Sequence, residues 1–121
     1  MKRKILIVED YEDTRLFMKF LIEGRGYQVI EAADGLEAIE SLKQEFPDLI
    51  LMDIGLPVMD GLTATRAIRK FKQGIDIPII AITAYGKQFY EKAIAAGCND
   101  LIAKPVDFNS LEATLNQYLE E

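Results

Sequence analysis

Five side chains in this protein have types and spacings suited to shared chemistry: Glu9, Asp10, Asp53, Thr83 and Lys104. Each stands at the carboxyl end of a short apolar run, 5–8 before the acidic pair, 49–52 before Asp53, 77–82 before Thr83 and 101–103 before Lys104. If those runs are parallel strands, all five side chains reach one edge of one sheet, the edge at which open α/β sheets bind ligands. Taken singly, a loop aspartate is most often a cap or turn residue, a threonine after a strand an N-cap, and a lysine there a solvated charge. Arrival together, behind apolar strand bodies, asks for a shared role. Three carboxylates in one crevice repel, which raises a carboxylate pKa or recruits a cation. A hard ion is the simpler remedy, and Mg²⁺ suits it, because Mg²⁺ takes one or two carboxylates, keeps several waters and completes its shell with phosphate oxygens. A carboxylate, a hydroxyl, an ammonium group and Mg²⁺ together fit phosphoryl transfer, where catalysis is mainly positioning and neutralisation of phosphoryl charge. Asp53 is then the candidate nucleophile, forming an acyl phosphate.

Composition removes other chemistries. With no histidine and one cysteine, Cys98, the chain has no Ser-His-Asp triad, no Cys-His pair, no imidazole metal site and no internal disulfide. A net charge of -6 and a pI near 4.7 argue against a nucleic-acid partner for this domain alone, since phosphate neutralisation needs a clustered basic surface. The basic start, Met1 to Lys4, leads into an apolar run too short for a signal-peptide core, and no stretch approaches the roughly 18 apolar residues of a membrane span. A soluble, cytoplasmic protein is expected, with no membrane partner. At 121 residues, 50% of them hydrophobic, the chain is expected to fold as one domain, 1–121, able to bury roughly two thirds of its unfolded surface.

The elements that must position the five side chains follow from periodicity. Continuous apolar runs at 5–8, 49–52, 77–82 and 101–103, with a weaker one at 28–32, alternate with amphipathic stretches at 14–23, 36–45, 62–72, 88–96 and 109–119. Continuous rather than alternating strands imply a parallel sheet buried on both faces, hence a three-layer α/β/α sandwich. Pro78 is tolerable at the start of its run. Asp34 with Glu37, Asp60 before Gly61, and Asp107 read as helix caps. Gly24, Gly26 and Gly97 follow helical stretches, where a left-handed residue is often needed. Cys98 reads as a small apolar filler, and Phe17, Phe20, Phe71 and Phe108 as packing residues. In the first helix Leu16, Phe17, Met18, Phe20, Leu21 and Ile22 spread over more than one face, so some must reach the surface.

In order and spacing, Ile5-Leu6-Ile7-Val8-Glu9-Asp10, the stretch from Pro47 through Asp53 to Leu56-Pro57-Val58-Met59-Asp60-Gly61, then Ile82-Thr83-Ala84, Ala96-Gly97 and Lys104-Pro105 resemble the receiver domain of two-component response regulators. The chemotaxis response regulator is the best-known single-domain member of that family. The resemblance implies a doubly wound, flavodoxin-like five-stranded parallel sheet of order 2-1-3-4-5, with the site at the switch point between the first and third strands. It implies that Asp53 accepts a phosphoryl group from a phosphohistidine on a sensor histidine kinase or a histidine phosphotransfer protein. By the same resemblance Asp10, Asp53 and the Gly55 carbonyl bind Mg²⁺ with Glu9 acting mainly through water, Thr83 bonds one phosphoryl oxygen, Lys104 pairs with another, and the Lys104-Pro105 bond is cis. The acyl phosphate would then change the binding of a downstream protein, by a monomer or weak dimer. An end shortly after the fifth helix fits either a free-standing regulator or a receiver from a longer protein.

The chain departs from the family at Leu101, where an aromatic ring usually moves with the threonine. Two further positions tune water access in the family: Gly55 offers no side chain, whereas Tyr85 would shield the site. A haloacid-dehalogenase-type phosphatase would need an aspartate at Gly55. A flavodoxin-like FMN site would need a phosphate loop where residues 9–13 are acidic. A receiver-like module that is never phosphorylated is disfavoured by the presence of Asp53, Thr83 and Lys104, while Leu101 leaves it open.

Overall fold

The computed structural model of the protein describes residues 2–56 and 58–119. Pro57 of the quoted motif lies outside the described residues, as do Met1, Glu120 and Glu121 at the limits of the expected domain. Strands and helices alternate as the apolar runs require: β1 (Lys4–Val8), α1 (Glu12–Glu23), β2 (Gln28–Ala32), α2 (Gly35–Leu42), β3 (Leu49–Asp53), α3 (Gly61–Ile68), β4 (Ile79–Thr83), α4 (Tyr90–Ala96), β5 (Asp100–Ala103) and α5 (Phe108–Leu119). Short 3₁₀ turns at Lys72–Gly74 and Gly86–Phe89 precede β4 and α4. All strand pairs are parallel and the order is β2-β1-β3-β4-β5, as expected.

Side chains on successive residues of a strand point to opposite faces, and the core divides accordingly. Leu6, Val8, Ile50 and Met52 pack with Ala38 and Leu42 of α2 and Ala64 and Ile68 of α3. Ile5, Ile7, Leu49 and Leu51 pack with Met18 and Ile22 of α1 and with Leu111 and Leu115 of α5. Both faces of the central strands are therefore covered, which is why those strands read as unbroken apolar runs.

Several element limits differ from the periodicity reading. β4 starts at Ile79 because Pro78 has no N–H to donate; its carbonyl still accepts from Ile50 N at 2.9 Å. α3 ends at Ile68, not at 72, as the Lys70 and Phe71 amides tighten to i-3 carbonyls and the chain turns back. α4 begins at Tyr90, with a 3₁₀ turn occupying the first residues of the expected helix. Gly97 closes α4 in the left-handed region at φ 116°, and Gly26 has φ 93°, but Gly24 is right-handed at -62° because α1 ends on ordinary i-3 and i-4 bonds and the reversal falls at Gly26. The caps form as expected. Asp34 accepts from Glu37 N at 2.8 Å, Asp60 from Thr63 N at 2.9 Å, and Asp107 from Ser110 N at 2.7 Å. Cys98 is buried beside Thr65, and its burial pushes the thiol pKa up, which suits a filler. Phe71 packs edge-on against Phe46, whereas Phe17, Phe20 and Phe108 lie on helix surfaces.

Candidate functional site

The sheet register brings the five side chains to one place. Val8 pairs with Met52, Asp53 with Ile82 and Thr83 with Ala103, so the residues that end these strands emerge side by side. Glu9 stays at sheet level because its amide extends the β1–β2 ladder to Ala32 O at 3.0 Å, and it is buried, while Asp10 after it is exposed. Asp53 is the last residue of β3. The start of α3 packs directly on it: a Cβ at Gly61 would lie 2.3 Å from the Asp53 carbonyl oxygen, so only glycine permits this approach. Thr83 ends β4, and the Lys104 amide donates to its carbonyl at 2.8 Å. The Lys104-Pro105 bond is cis.

These residues line a crevice of about 640 Å³ above the switch point between β1 and β3. Glu9, Asp10 and Asp53 each offer a carboxylate oxygen within 4.8 Å of the other two. Asp53 Oδ1 accepts from Gly55 N at 2.9 Å, and Asp53 Oδ2 accepts from Lys104 Nζ at 2.8 Å. Glu9 Oε2 accepts from Tyr11 N at 3.0 Å. Glu9 Oε1 lies 3.1 Å from Lys104 Nζ as a charge contact and is left buried without a geometric hydrogen bond. Burial raises the Glu9 carboxyl above its ordinary range against the Tyr11 amide, and the Asp53 charge adds to the rise. Lys104 is moved upward despite its burial, because Asp53 and then Glu9 favour its charged form. Thr83 Oγ1, almost wholly buried, accepts from Tyr85 N at 3.0 Å. Two buried carboxylates and a buried hydroxyl thus meet one half-buried ammonium group, with Asp10 and Gly55 at the mouth.

Residues 5–116 match the response regulator receiver domain. The chain belongs to that family. Among relatives of this receiver is the polar-differentiation response regulator DivK of Brucella ovis, 38% identical over 120 residues that cover 98% of each chain. Among solved structures, the receiver domain of a sensor histidine kinase from Pseudomonas aeruginosa, determined with magnesium coordinated in its active-site cleft, superposes with a TM-score of 0.92 at 37% identity and full coverage of both chains. The receiver domain of a Saccharomyces cerevisiae response regulator, co-crystallised with its histidine phosphotransfer protein, superposes at 0.90 with 30% identity, covering 97% of this chain and 88% of that one.

Leu101 is half-buried against the core on the α2–α4 side, so no ring is present there to move. Tyr85 is 66% exposed, and its ring packs on Phe89 at 5.3 Å; both rings line the crevice. The Tyr85 side chain thus borders the crevice together with a second ring, that of Phe89. Sequence periodicity missed Phe89, because a helix starting at 88 leaves it without a distinctive position, whereas the 3₁₀ turn at Gly86–Phe89 carries it to the crevice. Among the described residues no helix is long and apolar enough to cross a membrane.

Proposed function

We propose that this receiver is a phosphoacceptor in which Asp53 takes the phosphoryl group from a phosphohistidine on a sensor histidine kinase or histidine phosphotransfer protein. The reading is carried by one observation: a buried carboxylate at the end of β3, held between the Gly55 amide and Lys104 Nζ, opens onto an acidic crevice. An Asp53 carboxylate oxygen attacks phosphorus, the P–N bond breaks, and its electron pair leaves with the imidazole nitrogen. Lys104, freed as the carboxylate becomes an acyl phosphate, pairs with a phosphoryl oxygen. The Thr83 oxygen already accepts the Tyr85 amide, so its hydrogen is available for another phosphoryl oxygen.

The donor set fits Mg²⁺. Three carboxylate oxygens converge, and Glu9 Oε1 is buried with no hydrogen bond of its own. Asp10, Asp53 and the Gly55 carbonyl would hold the ion directly, with Glu9 acting mainly through water. When bound, the ion supplies charge neutralisation to the phosphoryl oxygens. The protein is not an enzyme acting on a separate substrate; it catalyses its own phosphorylation and, by water attack on phosphorus, its own dephosphorylation. We read the whole span 1–121 as one receiver unit, cytoplasmic, a monomer or weak dimer, whose acyl phosphate changes the binding of a downstream protein.

With no histidine, the chain needs an outside donor. Leu16, Phe17 and Phe20 are exposed on α1, the helix that follows the acidic pair, and Phe17 lines a groove of about 500 Å³ between α1 and the Pro105–Val106 segment; this face is where the donor docks. Intact-mass measurement after incubation with acetyl phosphate and Mg²⁺ tests the central assignment. The wild type gains one phosphoryl group and Asp53→Asn gains none; equal labelling of the variant would overturn it.

A further inference from the structure

Asp10 is the exposed member of the acidic trio, and among the described residues no hydrogen bond or ion pair holds its carboxylate. Its direction is therefore set through the backbone, and in particular through the peptide that joins it to Glu9. That peptide is planar, so whatever grips its carbonyl also fixes the direction in which the Asp10 Cα leaves. The grip comes from α1: Arg15 Nη1 donates to Glu9 O at 2.9 Å. The guanidinium is anchored in turn, because Arg15 Nε donates to Glu31 Oε1 at 3.0 Å and Lys19 Nζ, one turn along α1, to Glu31 Oε2 at 3.1 Å. Glu31 belongs to β2, opposite Ile7 of β1, so the brace runs from the sheet through the helix back to the loop that carries the acidic pair. The Arg15 side chain is only 15% exposed, little for a long cation on a surface helix. Packing alone does not ask for it, since Met18 and Ile22 already seat α1 on the sheet.

We propose that Arg15, anchored by Glu31, is a positioning residue for the cation site: it orients the Glu9-Asp10 peptide so that the Asp10 carboxylate meets Asp53. The inference rests on the reading of Glu9, Asp10 and Asp53 as the Mg²⁺ site. Partners that orient metal ligands without touching the metal typically change affinity by about 10- to 100-fold when removed. Charge alone has the opposite sign, because deleting a cation beside an acidic cluster would tighten Mg²⁺ binding. Lysine does not replace the guanidinium, since a single ammonium point cannot serve Glu9 O and Glu31 in this fork geometry.

Mg²⁺ titration of the full chain, followed by the fluorescence of tyrosines beside the crevice, tests the brace in Arg15→Gln, Arg15→Lys, Glu31→Gln and Asp10→Asn, with urea unfolding of each. Arg15→Gln is expected to weaken Mg²⁺ roughly 10-fold, Arg15→Lys to recover little of that, and Glu31→Gln to weaken it in the same direction by less. In acetyl phosphate labelling the Mg²⁺ midpoint should move upward by the same factor, with the rate recovering at saturating Mg²⁺. Wild-type or tighter Mg²⁺ binding by folded Arg15→Gln, or a lower plateau at an unchanged midpoint, overturns the proposal. Should Arg15→Gln fail to fold, Glu31→Gln decides it: a wild-type midpoint there removes the brace. If Asp10→Asn binds Mg²⁺ like the wild type, the site reading falls and the brace with it; weakening in Asp10→Asn without weakening in the Arg15 and Glu31 variants rejects the brace alone.

Discussion

Lys104 is the residue on which the site's charge balance turns. Its ammonium group stands 2.8 Å from Asp53 and 3.1 Å from Glu9, and so offsets the repulsion of two buried carboxylates where a divalent cation would otherwise do so. An ion and this ammonium group compete for the same oxygens, which separates two variants that both remove a site charge. Asp10→Asn loses a direct carboxylate ligand, and Mg²⁺ affinity and labelling should fall together, by at least about 10-fold, since losing a ligand costs no less than losing its support. Lys104→Ala should bind Mg²⁺ as well as the wild type or better, yet accumulate less acyl phosphate, because one phosphoryl oxygen loses its partner. Calorimetric Mg²⁺ titration beside a labelling time course measures both. Equal loss of Mg²⁺ affinity in the two variants would contradict the roles assigned.

At the scale of elements, the caps decide where helices begin and so where the loops around the crevice run. Asp60 receives both the Thr63 amide and the Thr63 hydroxyl at 2.9 Å, and α3 starts there, hard against the end of β3. The Thr63 amide is the main reason its carboxyl titrates below the ordinary value of 3.8. A carboxylate held low in the folded state contributes stability that is complete above its unfolded pKa and fades as pH falls through the folded one. Asp60→Ala should therefore cost about 1 kcal/mol near neutrality. The gap from wild type should narrow below pH 3.8. Urea midpoints from pH 7 to 3 measure this, and a gap that widens on acidification would reject the cap as its origin. Caps and strand ends were legible in the sequence because they depend on neighbours a few residues away. Glu9, Asp10, Asp53, Thr83 and Lys104 each follow an apolar run, and a parallel sheet needs nothing more to gather them. Arg15 and Phe89 were not legible. The first acts through a glutamate 16 positions away on another element, and the second reaches the crevice only because a 3₁₀ turn replaces the first turn of the expected helix. The early end of α3 was hidden for a related reason, since amphipathic spacing continues past Ile68 while the chain has already turned.

For the molecule as a whole, the question is how a phosphohistidine reaches a carboxylate recessed at the bottom of a crevice. Asp53 is only 5% exposed, so a donor must bring its imidazole to the crevice mouth and hold it there. α1 rises from that mouth, and three of its six large apolar side chains are turned outward: Phe20 is 74% exposed, with Phe17 and Leu16 about half exposed, while Met18 and Ile22 fill the core. A helix needing only to cover the sheet would carry one apolar stripe, not a second turned to the outside. Phe17 also borders the groove against Pro105 and Val106, which continues the apolar surface across the segment carrying Lys104. Large, well-seated aromatic side chains dominate the energetics of most protein interfaces. Phe17→Ser and Phe20→Ser should accordingly slow transfer from a phosphohistidine protein by roughly 10-fold or more, the effect of losing one anchoring side chain. Both are surface changes, so fold stability should move by no more than about 0.5 kcal/mol. Acetyl phosphate needs the crevice but no docking face, and its labelling rate should be unchanged. Parallel time courses with the two donors separate the cases: loss with both points to damage at the site or to the fold, and loss with neither removes α1 as the docking surface.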